Sequence, residues 1–379
     1  MISLLFYNII MILCMFICFL SQKKHTKNRV VFAYLILIFI SVIRFDIGND
    51  YEGYWHIFYD SSRAYYSGVC VQDLLLMYHV PEPFTLLLVM VFCSFTSAPI
   101  WIFGIYSSLT IYFIYRTIEY WSPRNHALCI FVLFISCVFF ETWDWVRQGL
   151  ALSILLYSLK YINQGKRSYF FLCMTCAFCC HFSAAVFFIV YFIRNVRLND
   201  RVILVIIGVS YLMGFMGFFG KLYGLIFSML PLYSEVYAEG IYIDDSESSY
   251  QTLGFFCLAL WYGFLTFQVY RRNILFGNLL FIGSVLTMIA GNNLLITRIA
   301  WYFTSVQILA VPLVLKKDHV GKLSRIIMML MVLMMFIKFN KILTNKTGVR
   351  GSSPYETIFS SDYENKNFRL REYTIPDKF

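Results

Sequence analysis

Uncharged apolar runs alternate with short polar breaks along most of this chain. The first run, residues 2–20, has no charged residue, and SQKKHTKNR at 21–29 follows with four lysines and arginines. About 20 apolar residues suffice for one helical crossing of a bilayer. The run lacks a basic leader and a small-residue cleavage site, so it reads as a retained span rather than a signal peptide. Further apolar runs cover 30–43, 101–115, 127–140, 150–159, 169–193, 202–219, 252–270, 274–296, 299–315 and 323–339. The run 84–95 is too short for a crossing and reads as a half-helix, tolerable at that depth where it lines a cavity. The run 169–193 lies between two basic loops, 163–167 and 194–201, and so reads as a helical hairpin with its tip near His181. Basic loops favour the cytoplasmic side, which places the N-terminus and the long polar loops outside.

The pattern therefore predicts an all-α, polytopic integral membrane protein of about 12 transmembrane helices. A half-helix and a helical hairpin line an outward-facing cavity. The expected membrane domain is 1–339, with external loops at 44–83 and 220–250, and the expected tail, 340–379, is polar and external. No internal repeat is visible.

Composition strengthens the membrane assignment. Of the 379 residues 60% are hydrophobic and 14% charged, too apolar a balance for a soluble chain of this length. The net charge of +10 falls mostly in short loops, where it sets topology, so no nucleic-acid partner is expected. Aromatic residues reach 20%, which suits membrane interfaces and also sugar stacking. All eleven cysteines except Cys70 lie in apolar runs, where cysteine is a small hydrophobe, so no disulfide framework is read. Cys176, Cys179, Cys180 and His181 lack a second ligand pair, and no metal or cofactor is expected.

Chemistry concentrates at the predicted outer face. ETWDWVRQGLA, residues 141–151, sits between two uncharged runs. It puts Glu141, Asp144 and Arg147 at a membrane mouth, where ionisable groups are costly and face partners, cavities or substrates. Arg44, Asp46, Asp50, Glu82, His181 and Arg298 fall on the same side in this topology. Arg147 and Arg298 each begin a predicted inward-running helix, and a guanidinium beside a helix N-terminus makes an anion site suited to pyrophosphate. The simpler alternative pairs each arginine with Asp144 or another acid, or seats it among headgroup phosphates. His181 is either a hydrogen-bonded structural histidine or a general base. Asp50 sits on a tight turn and either caps or bonds local backbone, or binds acceptor or acts as a base. Glu82, between two prolines, either bonds sugar hydroxyls or ends the loop.

Several of these residues recur in one ordered set. IGNDY at 47–51, EPF at 82–84, RQGLA at 147–151, AFCCHFSA at 177–184, RIAWYF at 298–303 and SPYETI at 353–358 together resemble the EpsG-like family of Wzy-type polysaccharide polymerases. Asn49 stands where threonine or serine is common, and Cys180 precedes His181; neither change removes an ionisable group. The resemblance implies polymerisation of undecaprenyl-pyrophosphate-linked oligosaccharide units, without a cofactor, at the outer face of the bacterial inner membrane. The implied partners are the lipid-linked oligosaccharide donor and acceptor, membrane lipids and a chain-length regulator protein. The implied catalytic residues are Arg147, His181, Arg298 and Asp50. Arg44, Asp46, Tyr51, Glu82, Gln148, Asp144, Tyr302 and Tyr355 are the implied substrate-binding residues. Two other readings stay open from the residues alone: a glycan ligase or acyltransferase, and a flippase or transporter of lipid-linked sugars. The transporter reading predicts paired inverted repeats with broken helices, which the sequence does not display.

Overall fold

A computed structural model describes residues 2–24, 27–78, 80–217, 253–290, 293–315, 321–345, 348–366 and 368. The expected external loop 220–250 and the end of the tail, 369–379, lie outside the described residues. The chain divides into two compact units, Met1–Ala185 with Val332–Arg371, and Val186–Met331 with Glu372–Phe379.

In the first unit, α1 (Ile2–Lys24) packs on α2 (Lys27–Val42) and on α7 (His126–Ile135). The expected external loop after α2 is itself mostly helical. It holds the two-residue strand β1 (Arg44–Phe45), α3 (Tyr51–Tyr66) and α4 (Val71–Met77). Helix α3 buries Tyr51, Tyr54, Trp55 and Phe58, because aromatics recur at helical spacing along it. Helix α5 (Pro83–Cys93) starts cleanly. Pro83 occupies the first turn with its φ already helical, and the proline forces Glu82 into extended backbone at ψ 127°. Eleven residues give a helix of about 16 Å, half of the ~30 Å hydrocarbon core. That length agrees with the half-helix expected at 84–95.

Helix α6 (Ile100–Trp121) packs along α9 (Val146–Asn163), and α9 along α10 (Arg167–Cys180). The single span expected over 127–140 is bent. Helices α7 and α8 (Val138–Asp144) meet at 58°, around Cys137 in the left-handed region at φ 62°. A second break at Trp145 (φ −93°, ψ 67°) separates α8 from α9. Gly149 lets the two helices touch, since a Cβ there would lie 3.1 Å from the Thr142 backbone. Helix α10 ends at His181, whose backbone is extended, before the 3-10 turn Phe182–Phe188 and α11 (Ile189–Ile193). The chain therefore breaks where the hairpin tip was expected.

In the second unit, α12 (Asp200–Phe215), α13 (Leu253–Tyr270) and α14 (Ile274–Ala290) pack on one another, and α14 packs on α15 (Leu294–Thr304). Ile203, Ile207 and Tyr270 form an apolar core there. Buried polar groups are tied: Trp261 donates to Gln307 at 3.1 Å, and Thr266 meets Ser284 at 3.1 Å. Helix α16 (Gln307–Leu315) follows α15 at a 40° bend. Helix α17 (Lys322–Thr344) carries the chain from the second unit back into the first, whose C-terminal segment holds β2 (Glu356–Thr357) and the short α18 (Ser361–Asn365).

The chain is helical with apolar candidate spans, as a membrane protein requires. Among the described residues three helices are long and apolar enough to cross, or five if each bent pair is one span. Over 348–366 the expected polar tail folds back on the first unit. Strand β2 pairs antiparallel with β1, Arg44 opposite Thr357, and Ile358 donates to the Ile43 carbonyl at 2.9 Å. Tyr7 donates to Ser352 O at 2.6 Å, and Tyr355 donates to Ile40 O at 2.8 Å while stacking on Phe6.

Candidate active site

The first unit gathers three of the predicted ionisable residues on one carboxylate. Glu82 is buried, 3% exposed, and both of its oxygens are engaged. Arg147 Nη1 donates to Oε2, and His181 Nδ1 lies 2.7 Å from Oε1. The three side chains come from the entry to α5, the first turn of α9 and the end of α10. Sequence reasoning named all three but not their union, and it offered Asp144 as the nearest acid for Arg147. The break at Trp145 corrects this pairing: with α8 and α9 on different axes, residues 144 and 147 are not neighbours on one helix face.

The surroundings hold this cluster in place. The Arg147 guanidinium carbon sits 5.5 Å from the centre of the Tyr54 ring, and Tyr54 hydrogen-bonds the same group. Beneath Glu82, Thr85 and Tyr106 share a 2.7 Å hydrogen bond. Burial alone would raise the Glu82 carboxyl, but the His181 hydrogen bond and the Arg147 charge outweigh it and hold the pKa below its ordinary value. The carboxylate is thus ionised at neutral pH. The Arg147 and His181 side chains are 14% and 22% exposed, so the cluster is reachable. Arg147 Nε is buried without a hydrogen-bond partner among the described residues. A buried donor left unmet is costly, and an entering anion would satisfy it.

A second cluster lies one helix away. Arg350 Nε is 3.2 Å from Glu141 Oε2 and 3.8 Å from Asp144 Oδ2, with its guanidinium 4.6 Å from the Trp145 ring centre. The backbone N–H of Asp50 donates to Asp144 Oδ1 at 3.1 Å. Burial works against the Arg350 charge, but Glu141 and Asp144 raise its pKa above the ordinary value. Gly48, at φ +107°, closes this corner, because a Cβ there would lie 2.7 Å from the Trp143 carbonyl oxygen. Sequence reasoning missed Arg350. It stands in a mixed polar segment with no periodicity, and only the fold-back brings it to α8.

Other predicted residues are packed inside. Arg44 is 1% exposed and donates to Ser41 O and to Ser107 Oγ at 2.8 Å, between the rings of Phe103 and Trp143. Tyr51 stacks on Phe103 at 4.5 Å. Asp46 and Gln148 are buried, and Tyr355 stacks on Phe6. Arg298 and Tyr302 belong to the second unit. There the helix begins at Leu294, capped by Asn293, which accepts from Ile296 N at 3.0 Å. Arg298 therefore sits in the second turn of α15 and not at its start. Arg298 is thus not beside the unbonded N–H groups of a helix start, which belong to the first turn.

With this geometry in view, the comparison with protein families is specific. The EpsG family model matches residues 27–357, from before IGNDY to within SPYETI. The chain belongs to the EpsG family. This family is of the polysaccharide-polymerase type, so the chain has a general role in polysaccharide polymerisation and is membrane-embedded. No curated protein and no solved structure matches the chain. In this EpsG-family member the three segments 82–84, 147–151 and 177–184, separate in sequence, supply one cluster.

Proposed function

We propose that this EpsG-family protein is a metal-independent glycosyltransferase that joins undecaprenyl-pyrophosphate-linked oligosaccharide units into a long polysaccharide at the outer face of the bacterial inner membrane. The observation that carries the reading is the Glu82 carboxylate shared between Arg147 and His181. With Nδ1–H of His181 directed at Glu82, Nε2 is the lone-pair nitrogen of the neutral ring and the acceptor for a sugar hydroxyl proton. The acceptor oxygen attacks the anomeric carbon of the donor. The bond from that carbon to the pyrophosphate oxygen breaks, and the pyrophosphate leaves on its lipid. Arg147 stabilises the charge that develops on the leaving group, through donors that Glu82 does not occupy and beside the N–H groups opening α9. Glu82 fixes both partners and keeps the imidazole oriented.

The reading is tested by giving the purified protein lipid-linked oligosaccharide in detergent and resolving products on a gel. A ladder of polymer is expected from the wild type without any energy source. Arg147→Ala is expected to lose on the order of 10²-fold or more in rate. A full ladder from Arg147→Ala would refute the mechanism.

A further inference from the structure

Tyr54 reaches the Glu82 cluster from α3, a helix of the loop expected to be external. It stands in the first turn of that helix, and its side chain is buried. The Arg147 guanidinium carbon lies over its ring at 5.5 Å, inside the ~6 Å reach of a cation–π contact. The neighbours of Tyr54 fix where that ring stands. Its backbone N–H donates to the Asp50 carbonyl at 3.0 Å, and the Asp50 N–H donates to Asp144 Oδ1 at 3.1 Å, so the start of α3 is tied to α8. Phe58 lies near-parallel to the ring at 6.4 Å, and Phe103 stands edge-on at 6.5 Å. Phe103 is itself buried and stacked on Tyr51.

We propose that Tyr54 is a positioning residue that holds the Arg147 guanidinium in the orientation that meets a pyrophosphate. Glu82 grips one nitrogen, Nη1, and a long side chain held at a single donor still swings about that contact. A rigid ring over the central carbon restricts the swing. The choice of an aromatic matters for the charge. A second carboxylate would hold the guanidinium equally well but would cancel its charge and repel an anion. The face of a tyrosine ring attracts the cation and leaves its positive charge in place. Arg147 is thus gripped by one acid and one neutral ring, and its side chain is still 14% exposed. The role deepens the polymerase reading and rests on it, since there Arg147 meets the departing pyrophosphate. It also gives α3 a part in the chemistry, although no residue of that helix need touch the reacting atoms.

The test uses the full chain in dodecyl maltoside and takes two readouts. One is kcat and KM for lipid-linked oligosaccharide, counted per folded molecule. The other is affinity for geranylgeranyl pyrophosphate, a lipid pyrophosphate that needs no turnover. Tyr54→Leu, apolar but without a ring, is expected to lower kcat on the order of ten-fold with a smaller change in KM. Affinity for geranylgeranyl pyrophosphate is expected to fall by a similar factor. Tyr54→Phe, which restores the ring, is expected to recover most of both losses. Added to Arg147→Ala, Tyr54→Leu is expected to change either readout by less than about two-fold, because its effect runs through that arginine. A lower Tm with unchanged kcat per folded molecule, or equal losses with and without Arg147, would overturn the proposal. A wild type that makes no ladder refutes the polymerase reading instead. The affinities then decide Tyr54 alone: coupling to Arg147 upholds its hold on the guanidinium, and additivity overturns it.

Discussion

Glu82 bears two partners at once, and this makes it more sensitive to substitution than either of them. Glu82→Gln keeps the shape but offers one oxygen and no charge. It leaves Arg147 as a buried cation without its carboxylate, and breaking such a pair typically costs about 3–5 kcal/mol. A large drop in Tm at pH 7 is expected. The pH dependence has a definite sign. The folded pKa of Glu82 lies below its ordinary value of 4.5, so its stabilisation is complete above that value and is lost as pH falls through the folded pKa. The Tm gap between wild type and Glu82→Gln should stay constant from pH 8 to pH 5 and close below about pH 4.5. A gap that closes near pH 6.5 instead would assign the effect to histidine. His181→Ala is expected to cost about 10²–10⁴-fold in kcat, the range of a lost general base, with Tm little changed. Unchanged kcat would leave His181 a structural role only.

At the scale of elements, much was legible and the failures have causes. The start of α9 beside Arg147 and the short α5 follow from apolar runs and from Pro83, signals that are local. The Glu82–Arg147–His181 union spans 65 and 99 residues of sequence, and no periodicity reports contacts at that range. The bends at Cys137 and Trp145 also left no mark, since neither is glycine or proline, the usual break signals. The close approach of the turn at Gly48 to α8 gives a matched test. Gly48→Ala must place a Cβ 2.7 Å from a carbonyl oxygen in a left-handed backbone, whereas a Cβ at Gly53 meets nothing within 4 Å. Gly48→Ala is expected to lose at least 1–3 kcal/mol of stability and to reduce polymer formation. Gly53→Ala, within α3, is expected to be neutral or stabilising by up to about 1 kcal/mol. Equal thermal shifts for the two variants would contradict the close approach.

For the molecule as a whole, the segment 348–366 matters more than its sequence suggests. It was expected to be a polar, external tail from its polarity alone, and a two-residue strand and a few isolated side chains carry no periodic signal of its packing. Its contacts are with α1, α2, β1, α3 and α8, and Arg350 makes the most consequential one. Glu141 and Asp144 are two carboxylates that this one guanidinium joins, and Asp144 is 1% exposed. Removing the arginine leaves a buried acid uncompensated, so Arg350→Ala is expected to lower Tm strongly, by about 3–5 kcal/mol of stability. Its effect on polymerisation reaches Arg147 through the Trp145 break and should appear as reduced kcat with a smaller change in KM for lipid-linked donor. A merely structural strap would lower the active fraction and leave kcat per folded molecule unchanged. The double variant Arg350→Ala with Glu141→Gln separates the pair from the rest. If the ion pair carries the effect, the second change adds little to the first, and the cycle yields a coupling of about 0.5–3 kcal/mol. Strict additivity would mean that Arg350 acts through its stacking on Trp145 and not through its charge.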